Sequence, residues 1–200
     1  MEIMTVFKHV YRLRRRLEGK TDYKKRKSLL LNRGVFVSPR VTGKNIIVQY
    51  SKPTNKGDNI LSSTNSNQLN KIGWKGSGKS LPAAYLIGLL SGYKALKSDV
   101  NEAVLYTGIE RYMHASRISA VLKGIVDSGV SIPADEDSFP DENRIQGQHI
   151  SSYAKSLLDE DKKSYESRFS RLLSNGLRPE DYPKHFEEIR KKIMASYGDK

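Results

Sequence analysis

The sequence contains no cysteine, which excludes disulfide bonds, thiolate metal sites and thiol catalysis. It also lacks a long apolar run. The longest run, residues 81–90, includes Pro82 and Gly88 and is too short for a transmembrane helix, which needs ~20 apolar residues. At the N-terminus the basic cluster follows the apolar stretch and no small-residue cleavage site is evident, so a signal peptide is not expected.

Patterns typical of catalytic or metal sites are missing as well. The histidines lie far apart without an i,i+4 pair, and no serine occupies a G-x-S-x-G elbow. The histidines are therefore expected to be solvated or structural, and neither an enzyme nor a cofactor is predicted. The residues concerned are His9, His114, His149 and His185.

Acidic residues are scarce in the first fifth of the chain. Residues 1–44 hold 13 Lys/Arg against 3 Asp/Glu, residues 45–130 hold 10 against 5, and residues 131–200 hold 12 against 14. A chain that concentrates its positive charge at one end is expected to face a polyanion there. A membrane surface is the alternative, but arginine clusters with interleaved tyrosines favour nucleic acid. Guanidinium groups bind phosphate bidentately, and aromatic rings stack on bases.

Two basic tracts, residues 12–16 and 24–27, give the strongest functional signal. They hold eight cations within sixteen residues, and Glu18 and Asp22 are the nearby acids. A solvated helix face is the alternative, although such faces usually alternate in charge. Tyr11 and Tyr23 would either stack on bases or pack on the core. The tracts predict RNA contacts by Arg12, Arg14, Arg15, Arg16, Lys20, Tyr23, Lys24, Lys25, Arg26 and Lys27.

Residues 73–80 match the nucleotide-binding pattern G-x-x-x-x-G-K-[ST] letter for letter. A phosphate-binding loop of this kind needs a buried strand directly before Gly73, but residues 65–72 are polar and poor in strand formers. No later apolar strand ends in an aspartate that would hold magnesium. A nucleotide-binding protein is thus the weaker alternative. We expect a flexible basic loop in which Lys75 and Lys79 contact RNA phosphate.

The hydrophobic pattern predicts an α/β core between helical ends. A first helix ends before Gly19, and Thr21 would cap a second helix that Gly34 closes, with Asp22 able to pair with Arg26. The remaining predictions are a hairpin over residues 35–41 and 45–51, a third strand over 59–64, a helix over 82–97, a short strand over 103–107, a helix over 116–128, a loop over 131–142, and helices over 142–158 and 183–197.

Several blocks, in order along nearly the whole chain, resemble the archaeal L-eighteen family of large-subunit ribosomal proteins, whose eukaryotic relatives are called L-five. The likeness begins in the basic tracts and continues to the final helix. Its blocks are residues 14–16, 18–26, 72–75, 82–86, 88–90, 116–117, 123–124, 132–133, 144–147 and 182–186, with Asp127, Gly129, His149 and Ile150. Ala115 stands where that family usually has glycine.

This resemblance implies a three-layer α/β core, in which a small mixed sheet of three or four strands is flanked by helices. It also implies a basic N-terminal extension over residues 1–34, a core over 35–130 and a helical C-terminal arm over 131–200. The implied function is that of a non-enzymatic, cytoplasmic ribosomal component that binds 5S rRNA and helps attach it to large-subunit rRNA in the central protuberance, beside neighbouring ribosomal proteins. Arg117 joins the RNA-contact candidates. A free regulatory RNA-binding protein remains an alternative.

The final predicted helix carries an apolar stripe that must be covered. Tyr182, Phe186, Ile189 and Ile193 fall at spacings of four, three and four, which places them on one side of the helix. We expect this stripe to dock on a ribosomal neighbour. The alternative is that it packs on the chain's own core.

Overall fold

The computed structural model of the protein describes residues 12–31, 34–54 and 56–198. A four-stranded mixed sheet has the order β3-β2-β1-β4, with β4 parallel to β1 and the other pairs antiparallel. The strands are β1 (Phe36–Val41), β2 (Ile46–Thr54), β3 (Gly57–Asn65) and β4 (Val104–Leu105). The helices in the described ranges are α1 (Arg14–Leu17), α2 (Tyr23–Leu31), α3 (Asn67–Ile72), α4 (Leu81–Leu96), α5 (Arg117–Asp127), α6 (Glu142–Gln146), α7 (Gln148–Glu160), α8 (Lys162–Ser174) and α9 (Tyr182–Tyr197).

The predicted hairpin is confirmed, and its turn explains its register. The Thr42 backbone N–H donates to the Asn45 carbonyl at 2.8 Å, and the Thr42 hydroxyl donates to the same carbonyl at 2.7 Å. These bonds close the turn so that Val41 pairs with Ile46. The third predicted strand is also present, as β3. The expected α/β class and mixed sheet are therefore confirmed.

The sheet has one apolar face and one mixed, polar face. Val37, Val48 and Tyr50 are fully buried in the same cluster as the apolar side chains of α4 and α5. The alternate positions of β1 and β2, such as Ser38 and Gln49, lie on the opposite face because strand side chains alternate. This outer face lies under the N-terminal helices, so helices flank the sheet on both sides.

Glycines let α4 and α5 approach closely over the apolar face of the sheet. A Cβ on Gly88 would lie 2.2 Å from the Val121 carbonyl oxygen, and a Cβ on Gly124 would lie 2.3 Å from the Tyr85 carbonyl oxygen. Both contacts involve backbone atoms, which cannot rotate away as a side chain would. The two helices therefore depend on glycine at these positions for their separation.

The C-terminal helices depart from the prediction in two places. Gly147, with φ of +81°, divides the single predicted helix into α6 and α7. Between the two predicted C-terminal helices, where no helix was predicted, the chain forms α8. Asp161 starts this helix because its carboxylate accepts a hydrogen bond from the Lys163 backbone N–H at 2.9 Å. A polar, exposed sequence with an N-cap thus forms a helix that apolar periodicity does not reveal.

The apolar stripe of α9 is part of the protein's own core. Tyr182, Phe186, Ile189 and Ile193 are at most 1% exposed and belong to the same cluster as the apolar residues of α4. The expectation that this stripe docks on a neighbouring protein is therefore wrong, and the alternative is confirmed. None of the helices in the described ranges has the length and apolar character needed to cross a membrane.

Candidate nucleic-acid interface

An open cleft of about 620 Å³ lies between the N-terminal segment and the outer face of the sheet. Its cations are Arg15, Lys20, Arg26 and Arg40, which come from the N-terminal segment and from β1. Ser38, Gln49 and Ser51 add polar groups from the sheet. Asp58 and Glu110 are the acids among the described residues that line it. The cleft is therefore polar and mainly positive.

Four hydrogen bonds form and position α2. The Asp22 carboxylate accepts hydrogen bonds from the backbone N–H groups of Lys24 and Lys25, at 3.0 and 3.1 Å, so Asp22 and not Thr21 caps α2. The Lys25 ammonium donates to the Thr107 hydroxyl at 2.8 Å. Arg26 pairs with Asp58 of β3 at 2.5 Å, and not with Asp22. These contacts hold a helix that has no buried residue of its own.

Arg26 is partly withdrawn from solvent by its position. Its guanidinium lies 6.0 Å from the centre of the Phe36 ring, and its side chain is 25% exposed. The hydrogen bond that Arg26 donates to the Asp58 carboxylate raises the pKa of Arg26, which keeps the ion pair charged. Arg26 therefore neutralises Asp58 and connects α2 to the sheet.

The α1 region has its own local ion pairs. Glu18 accepts from Arg14 at 2.7 Å and from Lys20 at 2.8 Å, and these hydrogen bonds, that from Lys20 first, lower the pKa of its carboxyl group. Such exposed pairs contribute little stability. Across the described ranges, no carboxylate lies within salt-bridge distance of four other N-terminal cations, namely Arg12, Arg16, Lys24 and Lys27.

The aromatic residues of the cleft differ in accessibility. Phe36 and Tyr106 pack edge to face, with ring centres 5.5 Å apart, and are 7% and 8% exposed. They form part of the floor and present little ring face. Tyr23 is half-buried and lines the same cleft, so its ring is more accessible. Tyr11 lies outside the described residues.

The loop over residues 73–80 is not built as a nucleotide site. The helix α3 directly precedes Gly73, where a phosphate-binding loop requires a strand. The Lys75 backbone N–H donates to His185 Nε2 at 3.1 Å, and the Ser80 hydroxyl accepts from the Ala83 backbone N–H at the start of α4. The Lys75 N–H and the Ser80 hydroxyl, which would bind phosphate and magnesium in a nucleotide site, are thus hydrogen-bonded within the fold. Together with the missing strand, this rules out the nucleotide-binding alternative.

The structure brings together only some of the predicted RNA contacts. Arg15, Lys20, Tyr23 and Arg26 line the cleft itself, and the other candidates of the two tracts are on α1 or α2, except Arg12, which precedes α1. Lys75, Lys79 and Arg117 are exposed but do not line this cleft. Of the helix predicted before Gly19, the structure has the single turn α1; Arg12 and Leu13 are not helical, and residues 1–11 lie outside the described residues.

Sequence reasoning missed the contribution of the sheet. Arg40, Ser38, Gln49 and Ser51 lie on the outer face of β1 and β2. Their signal was present in the alternation of polar with apolar residues along both strands, since the polar positions share one face. No group of acids and histidines within the described ranges could hold a metal ion.

Comparison with known proteins places the chain among ribosomal proteins. The family described as "Ribosomal large subunit proteins 60S L5, and 50S L18" matches residues 7–102. The "Large ribosomal subunit protein uL18" of Methanococcus maripaludis is 46% identical over 181 residues, which cover 90% of this chain and 93% of the relative. The proteins of that name from Thermofilum pendens and Ignicoccus hospitalis are each 43% identical, over 90% and 92% of this chain and 92% and 90% of the relatives.

The chain belongs to the uL18 family of large-subunit ribosomal proteins. The resemblance seen in the sequence is thereby confirmed. As a member of the uL18 family, the chain is a structural constituent of the large ribosomal subunit and not an enzyme. It associates with the ribosome and its components.

Proposed function

We propose that the protein binds 5S rRNA through the cleft and the N-terminal helices above it, and helps attach that RNA to large-subunit rRNA in the central protuberance. The observation that supports this most is the position of α1 and α2. Contacts such as the Arg26–Asp58 ion pair hold their cations over the polar face of the sheet. The surface is open and contains more cations than acids, as an RNA backbone requires.

The cations of this surface have two different tasks. Arg26 is a positioning residue, because its guanidinium is already engaged by Asp58 and fixes α2 on the sheet. Arg16, Lys24 and Lys27 are exposed and have no carboxylate partner in the described ranges, so they contact phosphate at little desolvation cost. Tyr23 offers a ring for stacking on an unpaired base.

The polar face of the sheet adds hydrogen-bonding groups. Ser38 and Gln49 are paired across β1 and β2, and Arg40 is close to them on the same strand face. Hydroxyl and amide groups suit ribose 2′-hydroxyls and base edges, which lie in the wide minor groove of an RNA helix or in unpaired loops. RNA recognition then combines phosphate contacts from the helices with sugar or base contacts from the sheet.

Within this function the three segments divide by role. Residues 1–34 bind RNA, residues 35–130 supply the sheet and its helices, and residues 131–200 cover the core and offer surface to other ribosomal components. The RNA contacts assigned to Lys79 and Arg117 belong to the rRNA around this site. The site of action is the cytoplasmic ribosome.

Binding of purified 5S rRNA at several salt concentrations tests this function. The test variant changes Arg16, Lys24 and Lys27 to glutamine. We expect this variant to bind more weakly and to show a slope of log affinity against log salt that is about two units shallower, because each lost phosphate contact lowers the slope by up to ~0.9 units. The matched control changes three exposed lysines of α7 and α8 to glutamine: Lys155, Lys162 and Lys163. Equal losses in both variants would show that general charge, and not this surface, governs the binding.

A further inference from the structure

A second polar cavity, of about 590 Å³, lies away from the cleft. It is open to solvent and is lined by the β1–β2 turn, α3, the loop over residues 73–80 and α8. The fold adds two cations from distant parts of the chain, Lys44 from the turn and Arg171 from α8, which lie around the same cavity as Lys75.

The charge of this cavity has one sign. Lys44, Lys75 and Arg171 line it, and the described residues around it include no carboxylate. None of the three has an acidic partner within salt-bridge distance in the described part of the chain. Three like charges held around one cavity repel each other, so an anion bound there lowers the energy of the arrangement.

The loop that forms one wall is held rigidly. The Asn175 side chain donates to the Lys75 carbonyl at 2.9 Å, and the Lys75 ammonium lies 3.4 Å from the Gly176 carbonyl. A Cβ on Gly76 would lie 2.6 Å from the Trp74 ring and 2.7 Å from the Tyr182 hydroxyl. The glycine therefore lets the loop pack against the core, and the cavity is part of the folded structure.

We propose that this cavity binds the sugar-phosphate backbone of RNA, as a second site separate from the cleft. Asn67 and Asn70 of α3 add side-chain amides beside the cations, and amides and cations together suit phosphate and ribose oxygens. An acidic protein is a less suitable partner. Protein interfaces depend on accessible aromatic or aliphatic anchors and are poor in lysine, whereas Trp74, the aromatic residue at this cavity, is 3% exposed.

The two sites share the β1–β2 hairpin. Arg40 lines the cleft and Lys44 lines the cavity, four residues further along the chain. The backbone bound in the cavity comes either from the 5S rRNA held in the cleft or from large-subunit rRNA beside it. The inference uses the proposed function for the choice of these RNAs, but the cavity residues are not those of the cleft.

A double variant, Lys44→Gln with Arg171→Gln, tests the second site. It spares Lys75, which is tied into the loop. The matched control is Lys155→Gln with Lys163→Gln, which removes the same charge from exposed positions on α7 and α8. Circular dichroism and thermal melting first establish that both proteins fold like the parent.

Two binding arms distinguish the sources of the RNA. The first measures affinity for 5S rRNA alone, and the second measures capture of protein-free large-subunit rRNA by the protein already saturated with 5S rRNA. We expect the cavity variant to bind about tenfold more weakly than the control in one arm, with a salt slope shallower by one to two units. The arm that responds identifies the RNA.

Several results would overturn the proposal. The first is equal affinity of the cavity variant and the control variant in both arms. The second is a binding defect of the cavity variant that appears only when other ribosomal proteins are added, because the cavity would then bind an acidic protein surface instead of RNA. Failure of the parent protein to bind 5S rRNA would contradict the proposed function instead. The cavity is then tested by direct binding of large-subunit rRNA to the two variants.

Discussion

Replacing Phe186 by alanine tests whether α9 belongs to the core. Phe186 is 1% exposed and lies among the buried side chains of α4 and α9, with its ring centre 5.8 Å from that of Tyr85. Truncating a buried phenylalanine to alanine costs about 3–5 kcal/mol through lost burial and the cavity that remains. The free energy of unfolding of a whole domain is roughly 5–15 kcal/mol. One substitution in α9 should therefore remove a large fraction of it.

Urea denaturation followed by circular dichroism measures this loss. We expect Phe186→Ala to lower the denaturation midpoint strongly while the chain still unfolds in one transition. The matched control is Leu158→Ala on α7, which is 43% exposed and should change the free energy of unfolding by about 0.5 kcal/mol or less. Removing all residues after Gly176 should abolish cooperative unfolding. A loss below ~1 kcal/mol for Phe186→Ala, or a truncated chain that still melts cooperatively, would refute the placement of α9 in the core.

Three further predictions follow from particular contacts. Gly124→Ala should destabilise the protein by about 1–3 kcal/mol in the same denaturation assay, because its Cβ would overlap backbone atoms of α4, whereas Gly43→Ala, with nothing within 4 Å, should be nearly neutral. Ala115 has φ of +51°, so Ala115→Gly should raise the melting temperature by relieving about 1 kcal/mol of backbone strain, and an unchanged melting temperature would contradict this. Burial lowers the pKa of His185, so the folded state favours the neutral ring that accepts the Lys75 N–H. The stabilisation from His185 should be complete above pH 6.5, the ordinary pKa of histidine. Below that pH the free energy of unfolding should fall by at most ~1.4 kcal/mol per pH unit until the pH reaches the lowered pKa of His185 in the folded state. His185→Gln should flatten this pH dependence.

The sheet and the central helices were predictable because their signals are local. Alternation in β1 and β2, a turn with Gly43, and an apolar helix opened by Ser80 and Pro82 each specify an element within a few residues. The same reasoning missed α3 and α8, which are short or polar. Their helical state depends on packing against α9 or on a single cap such as Asp161.

The candidate site was predictable in its charge but not in its geometry. The basic tracts show which end of the chain concentrates positive charge, yet nothing local in the sequence shows that Arg26 pairs with Asp58, 32 residues away. The apolar stripe of α9 correctly predicted which face of the helix is buried, but not what covers it, because an apolar stripe alone does not distinguish a core from an interface. Besides α4, its partners include the Trp74 ring, which packs edge to face on Tyr182 with ring centres 5.5 Å apart and comes from a loop more than a hundred residues earlier.

Photo-crosslinking tests the central claim most directly. A photoreactive phenylalanine analogue at position 23 places the probe in the cleft between α2 and the sheet, and the same analogue at position 153 places it on α7, where Tyr153 is 44% exposed. With purified 5S rRNA we predict efficient crosslinking from Tyr23, at discrete nucleotides, and little from Tyr153. Equal crosslinking from the two positions, or crosslinking from Tyr153 alone, would contradict the assignment of the cleft as the 5S rRNA surface.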